Sequence, residues 1–257
     1  MAAPLKFTFL GTGTSSGVPM IACDCAVCTS TDPRDKRLRS ALLVESETTT
    51  IVVDTGPDFR YQMLRAHVRK LDAVLFTHPH KDHIAGLDDV RAFNFFTGNG
   101  MPLYANSMTQ EALIREFAYA FADKKYPGVP NLELNTIDAE PFLIGDIPVQ
   151  PIQVWHLKMP VLGFRFGNFT YITDANRIDE AEKQKIWGSK TLVVNALRRE
   201  KHISHFNLSE AVALTEELRV EQAYFTHISH QLGRHEAIEA ELPQGIHLAW
   251  DGLAIHC

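Results

Sequence analysis

The chain has 257 residues, 45% of them hydrophobic and 22% charged, with a formal net charge of −6. That length can bury one large core and suits a single domain spanning 1–257. The acidic balance argues against broad nucleic-acid binding, which needs a basic surface to neutralise phosphates.

Met1 to Leu10 carries one lysine among alternating apolar and polar residues, without the apolar region and cleavage site of a signal peptide. No run approaches the roughly eighteen apolar residues that a membrane helix needs. The expectation is therefore a cytoplasmic protein with no membrane partner. Four cysteines in such a chain point to metal or redox chemistry rather than to a disulfide frame.

Short runs rich in Val, Ile and Phe and bounded by turn formers predict strands at Lys6–Leu10, Ala41–Val44, Thr50–Asp54 and Ala73–Thr77. Further strands are predicted at Pro148–Trp155, Leu162–Phe166, Thr170–Thr173, Leu192–Asn195, Ala223–Thr226 and Gly245–Ala249. Apolar spacing of three and four predicts helices over Asp58–Arg69, Thr109–Asp123, Asp179–Ile186, Ser209–Leu218 and Gly233–Leu242. Asn207 and Glu210 have the spacing of a reciprocal N-terminal cap. The pattern is α/β, and two sheets with helices outside would accommodate it.

The strongest chemical signal is Thr77-His78-Pro79-His80-Lys81-Asp82-His83, directly after the apolar run Ala73–Phe76. Imidazole and carboxylate suit zinc, manganese or iron(II). So many ligands in so short a stretch exceed one closed tetrahedral site and suit two ions about 3.5–4 Å apart. The bland alternative is a solvated histidine-rich loop.

This motif resembles the signature of the metallo-β-lactamase superfamily, with Gly86 following it and Val53-Asp54-Thr55-Gly56 matching the upstream Asp-x-Gly. The resemblance covers nearly the whole chain and implies an αββα sandwich, two facing mixed β-sheets with helices outside. It implies that His78, His80 and His156 bind one divalent ion, that Asp82, His83 and His227 bind a second, and that Asp174 bridges them. Asp82 would thereby act in catalysis, and Asp54 would orient a metal histidine rather than bind metal. Aspartate at the bridge is typical of the superfamily's phosphodiesterases and thioesterases, whereas its β-lactamases commonly carry cysteine there.

Gly11-Thr-Gly-Thr-Ser-Ser-Gly17 lacks the lysine of a nucleotide-binding loop, but it leads into Cys23-Asp-Cys25-Ala-Val-Cys28. Together these look like the phosphoribosyl cyclic phosphodiesterase group of the superfamily. That resemblance implies a structural zinc on Cys23, Cys25, Cys28 and His230, a closed Cys₃His site. Three free cysteines, a redox pair or Cys257 as the fourth ligand are the alternatives. It also implies His205 as general acid or phosphate contact, with His202 as the rival.

Two active-site ions (Zn or Mn), a small cyclic phosphodiester substrate and a homodimer complete the expectation. A transfer-RNA 3′-processing nuclease, a glyoxalase-type thioesterase and a non-enzymatic scaffold are the competing readings. Lys81 reads as a solvated lysine, with contact to a substrate phosphate as the alternative, and His67, His235, His247 and His256 fit no constellation. Phe93-Asn94-Phe95-Phe96 and Phe117 to Phe121 suit core packing, an interface or the substrate entrance.

Overall fold

A computed structural model describes residues 4–257. One sheet is built from β1 (Lys6–Gly11), β2 (Ala41–Glu45), β3 (Thr50–Val53), β4 (Ala73–Leu75), β5 (Met101–Ala105) and β6 (Leu132–Thr136), with β14 (Ala254–His256) beside β1. The other runs from β7 (Phe142–Ile144) through β8 (Ile147–His156), β9 (Met159–Phe166), β10 (Phe169–Tyr171), β11 (Thr191–Asn195) and β12 (Gln222–Thr226) to β13 (Ile246–Leu248). Each sheet is mixed. The pairs β3–β4–β5–β6 and β10–β11–β12–β13 are parallel and the others antiparallel.

Alternation along the strands decides which core each side chain enters. Phe7, Phe9, Leu42, Val44, Ile51 and Val53 meet Val149, Phe164, Phe166, Phe169, Tyr171 and Val193 between the sheets. Phe7 stacks on Phe169 with ring centroids 3.7 Å apart, joining β1 to β10. The opposite faces of the same strands, including Leu43, Val52 and Val74, bury against helices on the outside.

Those outer helices are α1 (Phe59–Arg65), α2 (Lys81–Ile84), α3 (Arg91–Thr97), α4 (Ser107–Glu116) and α5 (Ala118–Phe121) on the first sheet. The second sheet is covered by α6 (Glu180–Ile186), α7 (Leu208–Leu218) and α8 (His235–Glu239). The expected αββα arrangement is the one observed. The cap of α7 is reciprocal, with Glu210 N–H donating to Asn207 Oδ1 at 2.9 Å and Asn207 N–H donating to Glu210 Oε2 at 3.0 Å.

Several boundaries differ from the sequence expectation for identifiable reasons. The helix expected over Thr109–Asp123 starts at Ser107, because Asn106 caps it, and breaks at Phe117, whose backbone leaves the helical region (φ −117°, ψ 37°). The helix expected to reach Arg69 ends at Arg65, with His67 left-handed at φ 54°. Strands β5, β6, β7 and β14 were not expected: β5 contains Pro102, β6 is polar along one side, and β7 and β14 span three residues each at sheet edges.

Two glycines hold the loops after β3 and β4 together. Thr55 N–H donates to His83 O and Gly86 N–H to Thr55 O, both at 2.8 Å. A Cβ on Gly56 would stand 2.1 Å from Asp82 O, and one on Gly86 would stand 2.1 Å from Gly56 O. Gly86→Ala is therefore expected to destabilise by about 3 kcal/mol, the upper range for overpacking against backbone. Chemical denaturation checks this; an unchanged midpoint would contradict the close packing.

Candidate metal centre

The predicted site residues lie at or just beyond strand ends, where loops from both sheets meet at the carboxyl ends of parallel strands. Asp54 follows β3, His156 ends β8, Asp174 lies three residues past β10, and His227 follows β12. Asp54, Asp174 and His227 all take left-handed backbone conformations, at φ 66°, 56° and 55°. Such strain costs about 1–3 kcal/mol per residue and persists where function or packing demands it.

The side chains converge. Asp82, His83, Asp174 and His227 each place a donor atom within 4.8 Å of the others, and so do His78, His80 and Asp174, and His156, Asp174 and His205. Asp174 belongs to all three groups and is 2% exposed. His156 groups with Asp174 and His205 rather than with His78 and His80, although its ring centroid lies 5.1 Å from that of His80. His80 is exposed and His156 half-buried while His78, His83 and His227 are buried, so the centre opens on the His80–His156 side.

Neighbouring groups fix how the rings present their nitrogens. Asp54, fully buried, accepts from Thr77 N–H at 2.9 Å, from Thr77 Oγ1 at 2.8 Å and from His83 Nδ1 at 2.7 Å. With Nδ1 committed, His83 Nε2 is a buried nitrogen without a hydrogen-bond partner, 3.2 Å from an Asp82 oxygen and 3.5 Å from an Asp174 oxygen. His156 donates Nδ1–H to Ser204 O at 2.8 Å, leaving Nε2 for the site. A lone pair facing carboxylate oxygens across such distances, backed by a carboxylate, is the donor arrangement of a metal site.

Electrostatics agree with that reading. Burial pushes Asp82 and Asp174 upward, but the imidazoles beside them (His83 for Asp82, His227 and His83 for Asp174) hold both well below the usual carboxylate range. Burial opposes charge on His83, yet Asp174, Asp82 and Asp54 raise it well above an ordinary imidazole. Burial and the neighbouring His83 lower His78. Without a cation, a proton on His83 must help to balance the clustered carboxylates. Divalent ions fit the donor set, because they supply that charge and satisfy His83 Nε2 directly.

His205 approaches Asp174 with Nε2 at 3.3 Å, while its Nδ1 faces Ser204 Oγ at 3.2 Å and His202 Nδ1 at 3.1 Å. Burial draws His205 down to about 4, against the opposing pull of Asp174. Its neutral ring therefore dominates at pH 7. His202 stands behind His205 rather than at Asp174.

A second group forms away from this centre. Cys23, Cys25, Cys28 and His230 have donor atoms within 4.8 Å of one another, and Cys257 is outside the group. His230 Nδ1 lies 3.4 Å from Cys23 Sγ and 3.3 Å from Cys25 Sγ, and Met20 N–H donates to Cys28 Sγ at 3.3 Å. The His230 contact draws the Cys25 thiol down to about 6, whereas burial pushes Cys28 up to about 11. Three sulfurs and one imidazole nitrogen fit a closed tetrahedral zinc site.

Sequence reasoning missed the hydroxyls around His227. Thr14 Oγ1 lies 3.2 Å from Nε2, and Ser40 Oγ lies 3.3 Å from Nδ1. It also missed Asn195, whose amide brackets the backbone after Asp174 by accepting from Ala175 N–H at 2.8 Å and donating to Ala175 O at 3.0 Å. A buried amide closing the apolar run Leu192–Val194 was the available clue; Thr14 and Ser40 offered none. Lys81, read as solvated, pairs with Glu116 on the surface. His235 is buried and lies 3.1 Å from Arg37.

Residues 49–228 match the family described as the beta-lactamase superfamily domain. The crystal structure of a diphosphatase from the PhnP family superposes with a TM-score of 0.94 at 41% identity, covering 100% of this chain and 98% of that one. The chain belongs to the metallo-β-lactamase superfamily. Its domain is built as a metal-dependent hydrolase of that superfamily.

Among curated relatives, an octanoyltransferase of Porphyromonas gingivalis is 35% identical over 252 residues, 97% of this chain and 51% of that protein. A ribonuclease Z of Bradyrhizobium diazoefficiens is 37% identical over 142 residues, 52% of this chain and 46% of that protein. The chain thus spans about half the length of the curated relatives it matches. Among the described residues, no helix is long and apolar enough to cross a membrane.

Proposed function

We propose that this domain is a phosphodiesterase that opens a small cyclic phosphodiester, of the phosphoribosyl cyclic phosphate or cyclic nucleotide kind. Two divalent ions, zinc or manganese, would be held with Asp174 shared between them. His78, His80 and His156 would serve one ion, and Asp82, His83 and His227 the other. A separate zinc would sit on Cys23, Cys25, Cys28 and His230. The observation that carries this reading is the membership of buried Asp174 in three donor groups at once.

Bound there, such ions supply positive charge for phosphoryl oxygens and make water acidic enough to act as a nucleophile near neutral pH. The chain's own groups supply the rest. Asp54 holds His83 in the tautomer whose Nε2 faces the site. The Ser204 carbonyl does the same for His156. Ser204 Oγ can donate to His205 Nδ1, which leaves His205 Nε2–H for an oxygen of the substrate. Because His205 rests neutral, it contacts phosphate first; the anionic substrate beside it then raises its proton affinity, so that the ring takes up a second proton from solvent water and passes one to the leaving oxygen, returning to the neutral form.

His205→Gln is expected to lower kcat on the order of 10²- to 10⁴-fold, the usual range for a proton-transfer group, with metal content unchanged. His202→Gln is expected to change kcat by less than about tenfold. Equal losses in the two variants would contradict the assignment of His205.

A second substrate class follows from the neighbour described as a diphosphatase. A phosphoanhydride offers the same centre the same non-bridging oxygens, with a better leaving group. Activity on 2′,3′-cyclic AMP and bis(p-nitrophenyl) phosphate, compared with ADP-ribose and S-lactoylglutathione, separates the classes. Turnover of the first pair supports the reading. Turnover of ADP-ribose alone favours a diphosphatase, and turnover of S-lactoylglutathione alone would overturn phosphoester chemistry. The net charge of −6 argues against long nucleic acids as substrates.

A further inference from the structure

The open side of the metal centre is bordered by a closed ring of hydrogen bonds. His156 donates Nδ1–H to Ser204 O at 2.8 Å, and Leu157 N–H, one residue on, donates to Asn176 Oδ1 at 2.8 Å. Asn176 Nδ2 donates in turn to Ile203 O at 3.2 Å, which returns the ring to Ser204. Asn176 stands two residues past Asp174. The ring therefore ties the turn after His156 and the loop before His205 to the loop that carries the shared carboxylate.

This ring holds two large aliphatic side chains in water, with Leu157 51% and Ile203 73% exposed. Bonded to one amide group, the two residues are neighbours. Scattered exposed apolar residues are ordinary surface. Leu157 differs, because its backbone is also left-handed, at φ 58°, like Asp54, Asp174 and His227 of the centre. It opens the two-residue turn between β8 and β9, closed by the pairing of His156 with Met159, where glycine would fit without steric cost. A leucine there is unfavourable in backbone and in exposure alike, which marks its side chain as serving something outside the fold.

We infer that Leu157 and Ile203 form an aliphatic clamp for the nucleobase of the substrate, so that the centre selects base-bearing phosphodiesters over those of a bare sugar. The inference rests on the phosphodiesterase reading above and narrows it. The chemistry of the rim chooses the occupant. A sugar would set its hydroxyls against side chains that can neither donate nor accept a hydrogen bond. A flexible acyl chain would lose its rotational freedom on an open rim that encloses little of it. A nucleobase is flat and rigid, so it covers apolar area with little ordering cost. Lys158 and Lys201, exposed and close in sequence to the two clamp residues, suit the phosphate that such a base carries.

Steady-state kinetics with two cyclic phosphates test the clamp. One is 2′,3′-cyclic AMP; the other is the 2,3-cyclic phosphate of methyl riboside, with methoxy in place of adenine. The wild type is expected to favour the adenine substrate about 30-fold or more in kcat/KM, the scale of half-burying two aliphatic side chains. Leu157→Gly suits the turn, so folding is not at stake. It is expected to lower that ratio about 5- to 10-fold, through KM for 2′,3′-cyclic AMP rather than through kcat. Ile203→Ser is expected to act in the same way.

A wild type without preference, a ratio unchanged in both variants, or equal losses on both substrates would each overturn the clamp. If neither cyclic phosphate is turned over, the phosphodiesterase reading fails, and calorimetric titration of the metal-loaded protein with 3′-AMP decides the clamp separately. Tighter binding than the 3-phosphate of methyl riboside, weakened by Leu157→Gly, would support it. Equal affinities for the two monophosphates would overturn it.

Discussion

Replacing Asp174 with alanine is expected to abolish catalytic metal binding while leaving the zinc proposed for the cysteine cluster in place. The carboxylate is the one group common to the three donor sets, and it is 2% exposed. Its removal leaves His83 Nε2 and His227 Nδ1, now 3.5 Å and 3.0 Å from an Asp174 oxygen, without their shared partner. Activity should fall on the order of 10⁴-fold, the scale of losing one member of a cooperating catalytic set. Metal analysis after dialysis should find only the cysteine-held ion. A smaller effect, about 10- to 100-fold in metal affinity, is expected for Asp54→Asn, because Asp54 acts through His83. Full metal content in Asp174→Ala would refute the shared-ligand assignment.

The second large effect is on stability. Cys25→Ser is expected to release one zinc and lower the melting temperature by about 10 °C, which is about 3 kcal/mol at the usual 2–4 °C per kcal/mol for a chain of this size. The cause is topological. The cluster joins the segment around Cys23–Cys28 to His230, and next to it Thr14 N–H donates to Ile228 O at 3.1 Å while Ile228 N–H donates to Thr12 O at 2.9 Å. Without zinc, the pull of His230 on Cys25 and the burial of Cys28 act on isolated thiols. Loosening there reaches the catalytic centre through the Thr14–His227 contact, so kcat should fall modestly with catalytic metals retained. A variant with parental melting temperature and parental zinc content would show that the cluster holds no structural ion.

What the chain discloses before folding is uneven, and the reasons are physical. His78 to His83 stand together because one loop can present several ligands at once, so their clustering is visible in one dimension. His156, Asp174 and His227 are isolated in sequence and become partners only because three strand ends of one sheet arrive at the same edge. The superfamily resemblance, not periodicity, singled them out. Central strands such as Leu192–Asn195 are apolar on both faces and easily recognised, whereas the edge strands Leu132–Thr136 and Ala254–His256 carry polar residues.

The left-handed conformations at Asp54, Asp174 and His227 leave no sequence trace, since aspartate and histidine adopt them without a characteristic neighbour. The hydroxyls of Thr14 and Ser40 that contact His227 were equally silent. His205 and His202 could not be ranked from spacing alone. Their ranking needed the approach of His205 Nε2 to Asp174, with His202 reaching only the far nitrogen of His205.

Anomalous diffraction from crystals of the metal-loaded protein, collected at the zinc and manganese edges, tests the central proposition most directly. Two adjacent peaks sharing Asp174, one toward His78 and His80 and one toward His83 and His227, are predicted, with a third peak among Cys23, Cys25, Cys28 and His230. A map with no peak beside Asp174 in protein that turns over a phosphodiester would contradict the account.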